Sequence, residues 1–187
     1  VGSEMCIRDR PIAAPSANLS ERTSVTNIMD IDPILVKKIF VLKDKQSSHG
    51  LESTVVRIDT NNEIEVLRYG SITVEELNKY AKVKIKKKSS ISPGNLKKHY
   101  STLKPIRMNA KRILKNEGLL NFGNNKLKSK IINLNLSNKK NLNEAAKNFY
   151  HYLHKLDQSR CKKIAVVEIP DKGLGKTIND RLRRAIK

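Results

Sequence analysis

Aromatic residues are scarce in this chain. Tryptophan is absent, and 187 residues include only three phenylalanines and five tyrosines. A surface that stacks single-stranded bases would have little to be built from. No apolar run reaches ~18 residues, so no transmembrane helix is indicated, and the N-terminus lacks the apolar stretch of a signal peptide. Two cysteines, Cys6 and Cys161, do not make a disulfide framework. A reducing, cytoplasmic setting is the expectation, with no membrane partner. Acidic residues are also few, 18 against 38 Lys and Arg, which leaves a formal charge of +20.

That charge permits contact with RNA or a nucleotide through counterion release. It is equally what compositional drift produces, since Lys, Asn and Ile are abundant everywhere and the lysines are spread along the chain. A hydrophobic fraction of 38% is enough for a core. The length suits one medium domain or two small ones.

Residues 1–10, VGSEMCIRDR, match nothing downstream and look like a translated sequencing adapter. They are set aside as a non-native leader. Residues 11–26 read as a loop of small and hydroxyl residues. A helix is predicted over residues 28–38, restarting at Asp32-Pro33, followed by a short buried strand at Ile39 to Leu42. Residues 47–50 read as a turn. Strands at Ser53 to Ile58 and Glu63 to Arg68 flank the turn residues Thr60, Asn61 and Asn62. Thr73 and Glu76 have capping-box spacing for a short helix to about Tyr80. Residues 82–105 are basic, are punctuated by Ser92-Pro93-Gly94, and read as a linker. Beyond it, strands are expected at Leu119 to Phe122, Lys130 to Asn133 and Ile164 to Ile169. A helix is expected from Asn141 through Leu153, and a last one is marked by Ile178, Leu182 and Ile186. The fold class is α/β: part of one α/β domain over residues 11–81, and a small Rossmann-like α/β domain with parallel strands over residues 106–187.

Gly173-Leu174-Gly175-Lys176-Thr177 resembles the end of a P-loop. However, the first glycine of that motif would fall on Pro170, which has no N–H and a fixed φ. A tight strand-to-helix turn is the better reading. His151 and His154 share one helix face, but no cysteine or carboxylate at ligand spacing accompanies them, so no metal site is assigned. The loop around Ala14, Ser16 and Ser24 offers small side chains and hydroxyls. In a tight hairpin, Ser53 at one strand end and Arg68 at the other lie close enough to serve one pocket, and arginine's planar fork suits phosphate.

These segments resemble a family. APSANLSERTSVT is similar to the A-P-S-A-N-x-S-G-x-x-S-x-T loop of YrdC-like threonylcarbamoyl-AMP synthases. HGLESTVVRI is similar to their G-x-E-S-T-V-V-D strand, and VLRYGSIT to V-L-R-P-G-x-I-T. SPGNLKKHY resembles the S-P-G-M-x-x-x-H-Y linker of the two-domain members. LNEAAKNFYHYLHKLD and VVEIPDKGLGKTINDRLRRA resemble their C-terminal domain. The resemblance runs in order from Pro11 nearly to Lys187. It implies synthesis of threonylcarbamoyl-AMP and pyrophosphate from threonine, bicarbonate and ATP, with Mg2+. A partner transferase complex would then carry the threonylcarbamoyl group to tRNA, which the chain itself would contact only weakly. By motif position, Ala14, Ser16, Ser24, Arg68 and Tyr100 would contact ATP. Ser53 would hold threonine, and His99 with Tyr100 would close over the site as a lid. No catalytic residue is assigned.

The chain departs from the family pattern at Glu21 (Gly), Thr23 and Tyr69 (Pro), Arg57 (Asp) and Asn95 (Met), and the proline after H-Y is displaced to Pro105. Nothing in it corresponds to the family's N-terminal Lys-x-Arg segment. The expectation is an N-terminally incomplete piece, inactive alone, with a bare sheet edge. Two alternatives stand beside the synthase. A YrdC-like carbamoyltransferase of hydrogenase maturation would lack this linker and C-terminal domain. A basic, non-catalytic RNA-binding module would bind tRNA in a salt-dependent way without binding ATP or threonine.

Overall fold

A computed structural model describes residues 17–41, 47–85 and 100–186 of the chain. Two sheets organise it. The first is three-stranded, in the order β1-β2-β3, and the second is four-stranded, in the order β4-β7-β5-β6.

In the first sheet, β1 (Val55–Ile58) and β2 (Ile64–Arg68) form the expected antiparallel hairpin, with Val55 opposite Arg68 and Ile58 opposite Ile64. Asp59 closes the turn by accepting from the N–H groups of Asn61 (2.9 Å) and Glu63 (3.0 Å). Asn62 takes a left-handed φ of 55° there, which asparagine tolerates. The buried Glu65 side chain is neutralised by Arg57 Nε at 2.9 Å. Helix α1 (Pro33–Val36) is one turn, with Pro33 in its first turn and Asp32 as N-cap. Helix α2 (Val74–Leu77) has the predicted capping box between Thr73 and Glu76, and a turn continues to Tyr80.

Three expectations need correction. Residues 39–41 are not a buried strand: Phe40 is 89% exposed and Ile39 N–H still bonds to Leu35 O as the turn after α1 unwinds. Short apolar runs do not distinguish strand from helix end. The basic stretch at 82 does not begin as linker, because β3 (Val83–Lys84) pairs parallel with β2 and Lys84 bridges to Glu63. The strand expected at Lys130 to Asn133 starts three residues later, as β6 (Asn133–Asn135). Ser129 delays it, accepting into a turn from Ile131 N–H and donating to Glu117 O.

The second sheet is wholly parallel. Its strands are β4 (Ile106–Arg107), which the sequence reading missed, β5 (Glu117–Asn121), β6 and β7 (Lys163–Val166). All five β5 residues are buried, as an inner parallel strand requires. Helix α3 (Leu142–Gln158) starts at Asn141, whose side chain caps Asn143 and Glu144 N–H. It lays Ala145, Ala146, Phe149, Leu153 and Leu156 into the core. Helix α4 (Leu174–Ala185) adds Ile178, Leu182 and Ala185. Cys161 is buried beneath the end of α3. Lys104 Nζ donates to Leu156 O (3.1 Å) and to the carbonyls of Asp157 and Ser159, placing a cation at the helix's negative end.

Candidate active site

The site is built from hairpin ends. Arg68, at the end of β2, donates from Nη2 to Ser53 O (3.0 Å) and Ser53 Oγ (3.1 Å), and from Nε to Ser53 O (3.2 Å). The antiparallel pairing thus brings the two expected ligand residues together. Gly70 makes this possible. A Cβ there would lie 2.3 Å from the backbone of Ser53 and Thr54, so only glycine lets the chain leaving β2 pass so close. Ser53 is exposed and Arg68 half-buried, so the pair faces solvent beside a rigid strand end.

Glu52, one residue before Ser53, is the electrostatic centre. Its Oε1 accepts from Ser24 Oγ and from Tyr150 Oη (2.7 Å), and its Oε2 accepts from Arg181 Nε (3.0 Å). Burial pushes the Glu52 carboxyl up, but Arg181, Ser24 and Tyr150 outweigh it and hold the group below its ordinary value. Burial and the Glu52 charge push the Tyr150 hydroxyl well up, so it stays a donor. Ser24 is thus tied to the Glu52 carboxylate, while Ser53, the next residue in the chain, is paired with Arg68.

Arg181 comes from α4 and is 1% exposed. Besides Glu52 it donates to Tyr69 O and Asp180 Oδ2, both at 2.6 Å, and its guanidinium lies 4.6 Å from the centre of the Tyr100 ring. Tyr100 is itself 2% exposed, beside Tyr150 at 6.2 Å between centroids. The linker tyrosine is seated in the junction. Ala14, Ser16 and His99 lie outside the described residues.

The two histidines of α3 also belong to the junction. His151 Nδ1 is 2.8 Å from Asp30 Oδ2, and His154 Nε2 is 3.1 Å from both Thr23 Oγ and Ser24 O. Gly50, at φ 68°, packs on the same helix so tightly that a Cβ would sit 2.3 Å from Ala146 O. The P-loop-like segment is a strand-to-helix turn. Gly173 N–H, at the start of α4, is met by the Glu75 carboxylate at 3.2 Å, so the helix's positive end is answered from within the chain.

A cleft of about 120 Å³ is lined by residues including Asn18, Arg22, Thr23, Asp30, His154 and Asp157, and not by Ser24, Ser53 or Arg68. It is a seam between the N-terminal loop and α3. Asp30 holds His151, and Asp157 accepts from the N–H groups of Leu103 and Lys104 (both 2.8 Å). Among the described residues no group of three His, Cys, Asp or Glu could hold a metal ion, and no helix is long and apolar enough to cross a membrane.

Sequence reasoning missed Glu52, Tyr150 and Arg181 as site residues. A signal for Arg181 existed: of the arginines at 181, 183 and 184, it alone falls in phase with Ile178, Leu182 and Ala185 on the buried stripe.

A parallel α/β domain whose helix α4 holds a serine- and arginine-bearing hairpin through a buried guanidinium defines a two-unit α/β protein. Comparison with known proteins gives the class a family. Residues 72–186 match the family described as threonylcarbamoyl-AMP synthase, C-terminal domain, and the chain belongs to it. Residues 3–70 match a second family described as telomere recombination. The threonylcarbamoyl-AMP synthase of Pyrococcus abyssi is 25% identical over 96% of this chain and 58% of its own length. The crystal structure of P. abyssi Sua5 complexed with L-threonine superposes with a TM-score of 0.75 at 23% identity, covering 95% of this chain and 58% of that one. A variant of the same protein, with a histidine and a tyrosine replaced by alanine, gives 0.70 at 23% identity over 95% and 56%. This chain thus spans less than two thirds of the relatives it matches.

Proposed function

We propose that the chain takes part in synthesis of threonylcarbamoyl-AMP from L-threonine, bicarbonate and ATP, for threonylcarbamoyladenosine modification of tRNA in the cytoplasm. The observation that carries this reading is the Arg68–Ser53 pair at the hairpin ends, next to a Glu52 that holds Ser24, in a chain of this family. In this reading Ser53 binds threonine. Ser24 and Arg68 contact ATP with Ala14 and Ser16, and Tyr100 completes the nucleotide side from the linker, where His99 belongs to a closing segment. The domains in this reading are an N-terminal unit from residue 11 through β3, a linker that follows it, and a C-terminal unit over residues 106–187.

A carboxylate oxygen of N-carboxythreonine attacks the α-phosphorus of ATP. The carbamate arises from the threonine amine and bicarbonate with loss of water; its oxygen forms an O–P bond with the α-phosphorus, the bond from that phosphorus to the α,β-bridging oxygen breaks, and pyrophosphate leaves. Charge grows on the phosphate oxygens as this happens, so an arginine and hydroxyl donors fixed in advance stabilise the transition state. Alignment of the carbamate with the phosphorus supplies most of the rest. Magnesium fits the described residues only as an ion carried by the phosphates, since they offer no ligand cluster for it, and no step is routed through it. The product passes to a transferase complex, and the net charge of +20 supports weak tRNA contact.

The test is threonine-dependent pyrophosphate release, with threonylcarbamoyl-AMP identified by mass. Arg68→Ala should lower the rate by about tenfold or more, the loss of one charged contact. The reading fails if neither the 187-residue chain nor the chain extended to the length of its relatives shows threonine-dependent release.

A further inference from the structure

A buried arginine is costly unless every partner is in place, and an apolar residue of similar volume often serves stability as well or better. Arg181 is 1% exposed, so its worth lies in what it holds. Its Nε takes Glu52, the residue before Ser53. Its Nη2 takes the carbonyl of Tyr69, the residue after Arg68. One planar guanidinium therefore spans both ends of the hairpin at the points where the Ser53 and Arg68 side chains emerge. The oxygen of Glu52 that Arg181 leaves open accepts Ser24 Oγ and Tyr150 Oη. One turn earlier on α4, Thr177 Oγ donates to Gly70 O at 3.0 Å, adding a second grip on the strand leaving β2. The guanidinium face carries the Tyr100 ring.

We propose that Arg181 is a positioning residue, through which the C-terminal helix α4 sets the relative placement of Ser24, Ser53 and Arg68 and seats the linker tyrosine Tyr100. The assignment rests on reading those residues as the ligand-contacting set. Arg181 touches no ligand itself; it acts through Glu52, Tyr69 and Tyr100. The physical requirement is a rigid fork. A lysine ammonium is a single point on a flexible stem and cannot hold Glu52 and Tyr69 O in fixed relation while lying flat on a ring.

The test compares the 187-residue chain with Arg181→Lys and Glu52→Gln by ¹⁵N NMR, alongside titrations with L-threonine and with ATP. The Arg68 Nε–Hε signal and the Ser53 amide report the Arg68–Ser53 pair directly, and the β5 amides of Leu119 to Asn121 report whether the C-terminal fold persists. The expected result is displaced Arg68 and Ser53 signals with unchanged β5 signals, and affinity for threonine and ATP lowered by on the order of tenfold to a hundredfold. Glu52→Gln keeps the side chain's volume and serves if Arg181→Lys does not fold. Unmoved Arg68 and Ser53 signals in the folded variants overturn the proposal, as do moved signals with unaltered affinities. Moved signals in a protein whose wild type binds neither ligand sustain the positioning role and defeat the proposed function instead.

Discussion

The inner strand β5 and the hairpin's edge strand β1 bury their residues in opposite ways, while β2 buries Ile64, Glu65 and Val66. Every residue of β5 is buried, and α3 and α4 close over the parallel sheet with a continuous stripe of Ala, Phe, Leu and Ile. In the hairpin, β1 has no buried residue, with Val56 39% and Ile58 67% exposed. The C-terminal sheet therefore carries its own apolar core. Besides the buried Ile64 and Val66 of β2, the hairpin is held by polar contacts that α3 and α4 extend to its ends: Tyr150 and Arg181 to Glu52, and Thr177 to Gly70. Apolar burial is non-directional, whereas hydrogen bonds demand a set distance and angle. A ligand site benefits from being assembled on the exacting kind of contact.

Phe149→Ala should break this contrast from the core side. The side chain is fully buried in α3, and its loss should cost about 3–5 kcal/mol. Amide exchange should accelerate in both sheets, because the hairpin depends on the helix that the mutation loosens. If β1 and β2 kept their protection, the dependence would be wrong.

Tyr150→Phe should sharpen it. The ring remains against Phe149, 4.9 Å between centroids, while the donor to Glu52 is gone. A cost of about 1.5–3 kcal/mol is expected for a hydrogen bond to a charged group, read as faster exchange in β1 and β2 with β5 unaffected.

Acid should act at the same point without mutation. Glu52 is held below its ordinary value of 4.5, so its contribution is fully present above that pH. It is lost as pH falls through the lowered folded value. In an acid titration followed by amide shifts, the amides of Ser24 and Ser53 should therefore move as Glu52 protonates, and Glu52→Gln should remove that transition. A transition unchanged in Glu52→Gln would assign the acid sensitivity to another carboxylate, such as Glu117, which Arg107 also holds below its ordinary value.

Thr73→Ala should have the smallest effect. It removes the cap of α2, whose Oγ accepts Glu76 N–H at 3.2 Å, at about 1 kcal/mol. Because Glu75 of that helix meets Gly173 N–H, a slight loss of order at the start of α4 should accompany it in exchange data.

The hairpin, the capping box, helix α3 and the parallel character of the second sheet were legible because each leaves a local pattern: alternation, a Thr-x-x-Glu spacing, a helical stripe. Strand β4 was not, since two residues between Pro105 and Met108 carry no period, and their pairing with Ile164 and Ala165 is set some 58 residues away. Of the site, Ser53 and Arg68 followed from hairpin geometry. Glu52 could not be weighed, because a carboxylate in a strand-opening motif looks the same whether solvated or gripped. His151 and His154, which the sequence placed on one helix face without a metal, are ties to the N-terminal loop. At Glu21, where the family pattern has glycine, φ is 65°, so the glycine's reason is visible here through the residue that replaces it.

The strand-like contact between Arg22 and Ser101, with Ser101 N–H bonded to Glu21 O at 2.9 Å, lays the chain re-entering the C-terminal domain alongside the N-terminal loop. With the ties from α3 and α4, this makes the junction an interface in the sense used for separate polypeptides. Covalent continuity between the two units is then not what holds them together. Severed anywhere in residues 86–99, the halves keep every described contact that joins hairpin to helix. The same structure should assemble from two chains made independently, each complementing the other as subunits do.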